Sequence, residues 1–267
     1  MKTRKGYADG PFGQIHYQEA GGGVPLVLCH QSPSSSAMFR PAYPLLAAAG
    51  VRAIGMDTPA FGQSDPPPRP HSIAGYARAV PALLDHLNLD QAAILGHHTG
   101  AAIAAEAAVT WPARITRVIL NGPPVLTLAE RKAYRDALDS APRSDPQADG
   151  SHLLEIWNRR ATFTPGWTSV EAMHNGVIQM LIAGDAGLDG FHAAFDHDIA
   201  ETIRRITQPT LILTNTGDDI YSCAQRAREL RPDFDYVELS GGTHDIVDEQ
   251  PQAWADAVTA FVLQERR

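Results

Sequence analysis

The sequence predicts an α/β fold in which a mostly parallel central sheet is flanked by helices and carries an inserted helical segment. Short apolar runs alternate with helical runs over most of the chain, an arrangement typical of parallel sheets with crossover helices. Loops rich in glycine and polar residues follow the apolar runs, and the alternation breaks only after Pro124. We therefore expect a core formed by residues 1–124 and 209–267, and a helical cap formed by residues 125–208.

The individual elements are predicted from periodicity. Residues 7–19 alternate around Gly10-Pro11, as in a hairpin at the edge of a sheet. Continuous apolar runs, which are typical of strands covered on both faces, occupy residues 24–29, 51–56, 91–95, 115–120, 210–213 and 236–239. Helical composition occupies residues 37–49, 72–87, 101–110 and 128–138, continues in short pieces to residue 206, and returns from residue 222 and in a final helix ending at residues 261–263.

Composition excludes several classes of function. The formal net charge is -8 and the Lys and Arg residues do not cluster, which argues against nucleic acid and anionic membrane as partners. The basic start of the chain is followed by no apolar stretch, and no run is long enough to span a bilayer, so we expect a cytoplasmic protein. In that compartment Cys29 and Cys223 are expected to be free thiols. The sequence does not specify an oligomeric state.

Five short motifs carry the chemistry of the chain, and each lies where a predicted strand ends. In chain order they are C-H-Q-S-P at residues 29–33, D-T-P-A-F-G-Q-S-D at 57–65, G-H-H-T-G at 96–100, T-N-T-G-D-D at 214–219 and G-G-T-H-D at 241–245. The third follows a strand and opens an alanine-rich helix, which predicts a tight strand-to-helix turn. Because parallel strands end at one edge of a sheet, the five loops should lie near one another.

With these motifs in place, the chain resembles the α/β-hydrolase superfamily over nearly its whole length. G-H-H-T-G resembles the nucleophile elbow G-x-S-x-G, and the two last loops resemble the acid loop and the Gly-x-His loop, in the chain order of that superfamily. The sequence departs from the family pattern at three positions. His98 stands where a nucleophilic serine is usual, Gln31 replaces a glycine after His30, and Ala60 replaces a glycine before Phe61.

The resemblance implies a catalytic histidine and a carboxylate partner. His244 is the candidate general base or acid, because the Gly-x-His loop should direct its imidazole at the elbow. Asp218 or Asp219 would accept the proton on Nδ1 of that ring, as the third member of a triad does. The resemblance favours Asp218, because that superfamily's spacing between the strand and the acid matches this position.

His98 allows several interpretations. It can act as a general base or polarising group, it can attack a carbonyl and form an acyl-imidazole, or it can ligate a metal together with His244 and Asp218, with His30 in a nearby loop. We favour these in that order and expect no metal and no cofactor. The alternative is that the turn belongs to a binding protein without catalytic activity.

The remaining site residues are assigned to an oxyanion hole. Thr99 should contribute its backbone N–H rather than its hydroxyl, and Gln31, in the loop opened by His30, should contribute a second N–H and a side-chain amide. His97 is predicted to pack beneath the turn. His98 and His244 should titrate as a coupled pair, with the charge on His244 and with His98 neutral.

The motifs and the resemblance are compatible with three functions. The leading one is an enzyme that hydrolyses a small carbonyl substrate (an ester, a lactone or a C–C bond) beneath the helical cap. The second is a non-hydrolytic enzyme of the same fold, such as a lyase, an isomerase or a cofactor-free oxygenase. The third is a small-molecule-binding module without turnover.

Overall fold

The computed structural model describes residues 2–141, 145–162 and 169–264. Eight strands in these residues form one sheet with the order β1-β2-β4-β3-β5-β6-β7-β8. They are β1 Arg4–Gly10, β2 Gly13–Ala20, β3 Val24–Cys29, β4 Val51–Met56, β5 Ala92–His97, β6 Ile115–Asn121, β7 Thr210–Asn215 and β8 Asp235–Leu239. The pairs β1–β2 and β2–β4 are antiparallel and the other neighbours are parallel, so both the edge hairpin and the mostly parallel sheet are confirmed.

Helices cover both faces of the sheet. Those described are α1 Tyr43–Ala48, α2 Ile73–Ala77, α3 Ala79–His86, α4 Thr99–Thr110, α5 Leu128–Ser140, α6 Ser151–Thr162, α7 Val170–Ala183, α8 Asp185–Asp196, α9 Ile199–Arg204, α10 Tyr221–Leu230, α11 Ile246–Glu249 and α12 Pro251–Val262. None of the helices within the described ranges combines the length and the apolarity that crossing a membrane would require.

Two predicted helices are interrupted. Residues 37–49 form a short 3-10 turn, Ser36–Phe39, and then α1, because Pro41 lies between them and has no backbone N–H to continue a helix. The helix predicted for residues 72–87 is divided into α2 and α3 at Arg78. Its predicted cap is confirmed, since the Ser72 hydroxyl accepts a hydrogen bond from the Gly75 N–H at 3.0 Å.

The interior strands explain the uninterrupted apolar runs. In β3, Val27 belongs to the hydrophobic cluster on one face of the sheet, whereas Leu26 and Leu28 belong to the cluster on the other face. In β5, Ile94 and Leu95 divide between the two faces in the same way. A strand with helices on both sides needs apolar side chains in both directions, so it does not alternate with polar residues.

The five helices α5 to α9 lie between β6 and β7, where the sequence predicted helices and no strand. Helix α8 comes close to the loop that follows β3. A Cβ atom added to Gly190 would lie 2.4 Å from the Ser32 hydroxyl oxygen, and one added to Gly187 would lie 2.9 Å from a Pro33 carbon. That residues 125–208 act as a separate cap stays a prediction.

Helix α12 is joined to the carboxyl end of β6 by a buried side-chain hydrogen bond. The indole N–H of Trp254, a side chain with no exposed surface, donates to the Asn121 side-chain oxygen at 2.6 Å. The Asn121 amide donates in turn to the Leu213 carbonyl of β7 at 3.3 Å. This network connects the helix to the two strands that precede the loops of Gly122 and Asp218.

We expect Trp254→Phe to lower the free energy of unfolding by about 1–3 kcal/mol, because the Asn121 oxygen would be buried without its donor. Urea unfolding followed by circular dichroism measures this change. Equal unfolding midpoints for the variant and the wild-type protein would show that the hydrogen bond does not stabilise the fold.

Candidate active site

His98 occupies a strained turn between β5 and α4. Its backbone has φ 50° and ψ -110°, a conformation that non-glycine residues rarely adopt, and its N–H donates to the Asn121 carbonyl at 2.9 Å. The flanking glycines allow the close approach that this turn requires. A Cβ atom on Gly96 would lie 1.9 Å from the Gly100 carbonyl oxygen, and one on Gly100 would lie 2.1 Å from that of Cys29.

The imidazole of His98 is paired with Asp218. The distance from His98 Nε2 to Asp218 Oδ2 is 2.9 Å, and the carboxylate side chain is completely buried whereas the imidazole is 15% exposed. The second carboxylate oxygen accepts a hydrogen bond from the Ile220 N–H at 3.0 Å. Gly122, which has φ +55°, leaves room for the pair, since a Cβ atom there would lie 2.8 Å from both bonded atoms.

This pairing corrects the preferred sequence interpretation, in which Asp218 orients His244. Asp218 is engaged by His98 instead. The reason is the length of the side chain at the turn, because an imidazole extends farther than a hydroxymethyl group and reaches the carboxylate directly. Of the two predicted candidates, Asp219 is the one that lies near His244, with 3.8 Å between Asp219 Oδ1 and His244 Nδ1.

His244 nevertheless lies close to His98, as the chain order of the motifs predicted. The two ring centroids are 6.4 Å apart. His244 Nε2 lies 3.0 Å from Arg160 Nη1 and 3.3 Å from Asp245 Oδ2. Because a guanidinium only donates, Nε2 must be the acceptor in the contact with Arg160, and the proton of the neutral ring is then on Nδ1, on the side of Asp219.

Arg160 is a site residue that the motifs of the sequence do not reveal. It comes from α6, is 7% exposed, and forms an ion pair with Asp245 through Nη2. Nothing in the sequence distinguished it from Arg159, because the residues around it in α6 are a mixture of polar and apolar types. Arg160 belongs to the site only because α6 packs against the loop after β8.

Of the two facing histidines, His98 is the one whose pKa is raised. Burial lowers the pKa of His98, but the charge of Asp218 and its hydrogen bond outweigh that effect, so the pKa is raised above the ordinary value. The pKa of Asp218 is lowered, since the same interaction overcomes the desolvation of the carboxylate. Both shifts favour the form of the pair in which His98 is an imidazolium and Asp218 a carboxylate.

His244 is shifted in the opposite direction. Burial lowers its pKa, and the cations of Arg160 and His98 add to this effect against the carboxylates of Asp245 and Asp219. The expectation that the charge lies on His244 and that His98 is neutral is therefore wrong. The carboxylate of Asp218 stabilises the proton on His98, whereas the buried carboxylate near His244, that of Asp245, is already paired with Arg160.

The His30 ring holds its loop instead of facing a substrate. Its Nδ1–H donates to the Gln31 carbonyl at 2.9 Å, and its Nε2 accepts from the Thr58 N–H at 3.0 Å. Burial lowers the pKa of His30, which favours the neutral ring that these two contacts require. Both ring nitrogens are occupied by backbone groups, so the ring contributes to the site through the position of its loop.

Gln31 and Thr99 are the predicted donors of the oxyanion hole. The Gln31 side-chain amide lies 3.5 Å from the His244 carbonyl oxygen, which brings this loop beside the histidine loop. The backbone N–H groups of Gln31 and Thr99 donate to no other protein group in the described part of the chain. Their role as oxyanion donors stays a prediction.

His97 is buried beneath the turn, at the position where the sequence predicted a packing residue. Its ring centroid is 4.5 Å from that of His98, and neither ring nitrogen has a hydrogen-bond partner among the described residues. The ligand atoms of His97, His98 and Asp218 lie within 4.8 Å of one another, a set suited to a divalent metal ion. This set differs from the predicted one by having His97 in place of His244.

A family model matches most of the chain. Residues 24–251 match the model described as the alpha/beta hydrolase fold. The chain belongs to the α/β-hydrolase superfamily. It is accordingly assigned as an enzyme of the hydrolase class.

Several members of this superfamily are similar to the chain. It is 27% identical over 264 residues to haloalkane dehalogenase 2 of Mycobacterium tuberculosis, covering 94% of this chain and 92% of that protein. It is 33% identical over 113 residues to bifunctional epoxide hydrolase 2 of Sus scrofa, a match that spans 41% of this chain and 20% of the relative's length. A solved structure of a hydrolase from Pseudomonas aeruginosa PA01 has a TM-score of 0.82 at 22% identity, with 97% of this chain and 98% of that chain covered, and shows the shared fold.

We expect His98 to titrate at a higher pH than His244, and Asp218→Asn to lower the pKa of His98 because the amide removes the charge that holds the proton. NMR titration of the imidazole Cε1–H resonances measures both values. Asp219→Asn is the matched control, since Asp219 makes no hydrogen bond to His98 and its charge raises the pKa of His98 less than that of Asp218 does, so this variant should lower the pKa less. The assignment fails if His244 retains its proton to the higher pH.

Proposed function

We propose that this α/β-hydrolase cleaves a small ester or lactone without forming an acyl-enzyme, using His244 as general base and His98 as a fixed imidazolium. The observation that carries the proposal is the hydrogen bond between His98 and Asp218. An imidazolium has no lone pair with which to attack a carbonyl or accept a proton. The base and nucleophile roles first considered for His98 therefore pass to His244 and to water.

The proposed reaction has two steps. Nε2 of His244 takes a proton from water, the resulting hydroxide bonds to the carbonyl carbon, and the C=O π electrons move to the oxygen. The oxyanion is stabilised by the backbone N–H groups of Gln31 and Thr99 and by the charge of His98. The bond to the leaving alkoxide then breaks, and the alkoxide receives the proton from His244. The products are a carboxylic acid and an alcohol, or one hydroxy acid from a lactone.

The pair of histidines also supports a second function. Two imidazoles whose pKa values are shifted in opposite directions, with ring centroids 6.4 Å apart, can remove a proton from one carbon and return one elsewhere, as an isomerase or a lyase does. This alternative uses the same residues and requires no water. A substrate that turns over without incorporating solvent oxygen would distinguish it from hydrolysis.

We expect His244→Ala to lower kcat/KM by about 10²- to 10⁴-fold, the usual contribution of a general base. The measurement is steady-state hydrolysis of a panel of p-nitrophenyl esters and small lactones, with and without a free carboxylate, and His174→Ala, a variant of an exposed histidine of α7, is the control. Rapid mixing should show no burst of alcohol in the wild-type protein. A stoichiometric burst, or full activity of His244→Ala, would contradict the mechanism, and binding without any turnover would favour the binding-module function.

The pH dependence follows from the two opposite pKa shifts. The base must be neutral, so kcat/KM should rise with pH through the pKa of His244, which lies below the ordinary histidine value of about 6.5. The imidazolium must be charged, so kcat/KM should fall again through the pKa of His98, which lies above that value. In Asp218→Asn the falling limb should move to lower pH. A profile with only a rising limb would mean that the His98 charge is not used.

A further inference from the structure

Arg160 donates a hydrogen bond to Nε2 of His244, the atom with which the proposed base must accept a proton. Its Nη1 lies 3.0 Å from His244 Nε2, while its Nη2 is held by the carboxylate of Asp245. The guanidinium is buried where α6 meets the loop after β8, and Gly176 of α7 leaves it space, since a Cβ atom there would lie 3.2 Å from Arg160 Nε. With Nη1 in this position, His244 cannot accept a proton from water.

A ligand must therefore accept the hydrogen bond of Arg160 Nη1 before His244 can act as a base. We propose that this ligand is a carboxylate carried by the substrate, so that the substrates are small esters or lactones bearing a free carboxylate bound by Arg160. Its binding turns the guanidinium away from Nε2 while Asp245 keeps the Nη2 edge in place. The release of the base rests on the proposed hydrolytic function, whereas the carboxylate site itself does not.

Charge decides between a carboxylate and a neutral oxygen as the ligand. The groups around His244 are Arg160 from α6, Asp245 in its own loop, Asp219 after β7 and His98 in the turn. A neutral acceptor would free the lone pair but would leave the guanidinium charge opposing protonation of the ring. A carboxylate frees the lone pair and also compensates that charge, so the ring becomes a better base. Hydrogen bonds from a guanidinium to a carboxylate are also roughly twice as strong as hydrogen bonds between neutral groups.

The site can be tested without knowing the substrate, by NMR titration of His244 in the presence of acetate. Saturating acetate should raise the pKa of His244 by on the order of 1 unit, the usual effect of a nearby opposite charge. Acetamide and sodium chloride at matched ionic strength should not raise it. In Arg160→Gln the pKa of His244 should be higher than in the wild-type protein even without acetate. Adding acetate should then cause no saturable change in this pKa.

Two further variants complete this experiment. Arg204→Gln removes an equal charge from an exposed position on α9 and should respond to acetate like the wild-type protein. Arg160→Lys keeps the charge and should respond partly, and it keeps the test valid if Arg160→Gln does not fold. An equal response in wild type and Arg160→Gln would overturn the proposal and leave Arg160 as an ion pair that joins α6 to the core.

Kinetics with a matched pair of esters separates the substrate class from the hydrolytic function. Monoethyl succinate carries a free carboxylate and diethyl succinate does not. The ratio of their kcat/KM values should favour the monoester and should fall by about 10- to 100-fold in Arg160→Gln, the loss expected for a charge-assisted hydrogen bond. Hydrolysis with a ratio unchanged in Arg160→Gln would reject the carboxylate site alone. An acetate response without hydrolysis of either ester would reject the hydrolytic function alone.

Discussion

One hydrogen bond, between His98 and Asp218, determines the arrangement of the rest of the site. It is possible because β6 is followed by Gly122, whose lack of a side chain lets the acid loop and the turn meet. Because the buried carboxylate of Asp218 is hydrogen-bonded to His98, His244 contacts other groups. Those groups are the more exposed Asp219 and the guanidinium of Arg160.

The consequence is a site with two histidines of different character. The pKa of His98 is raised because a buried carboxylate faces it, and the pKa of His244 is lowered because burial and nearby cations act on it. Two internal ion pairs, one in the turn and one between Arg160 and Asp245, keep the buried charges balanced. In such a site one histidine can stabilise an anion while the other accepts a proton. In a serine-type triad the oxyanion hole stabilises the anion and the single histidine accepts the proton.

The helical segment between β6 and β7 takes part in this arrangement. Helix α8 approaches the loop after β3 so closely that Gly190 has no room for a side chain, and α6 brings Arg160 to the loop after β8. Movement of these helices would change the contacts of His244 directly. The segment thus contributes a charged group to the site.

The sequence by itself determined the order of the strands and helices along the chain and the turn at His98. It also determined that His98, His244, Asp218 and Asp219 meet at one edge of the sheet. These follow from local properties: apolar periodicity selects the elements, glycines permit the turn, and parallel strands bring their carboxyl ends together. Only the tertiary structure decided which histidine Asp218 faces, and that Arg160 belongs to the site at all. Both depend on side-chain reach and on packing between segments far apart in the chain, which no local pattern encodes.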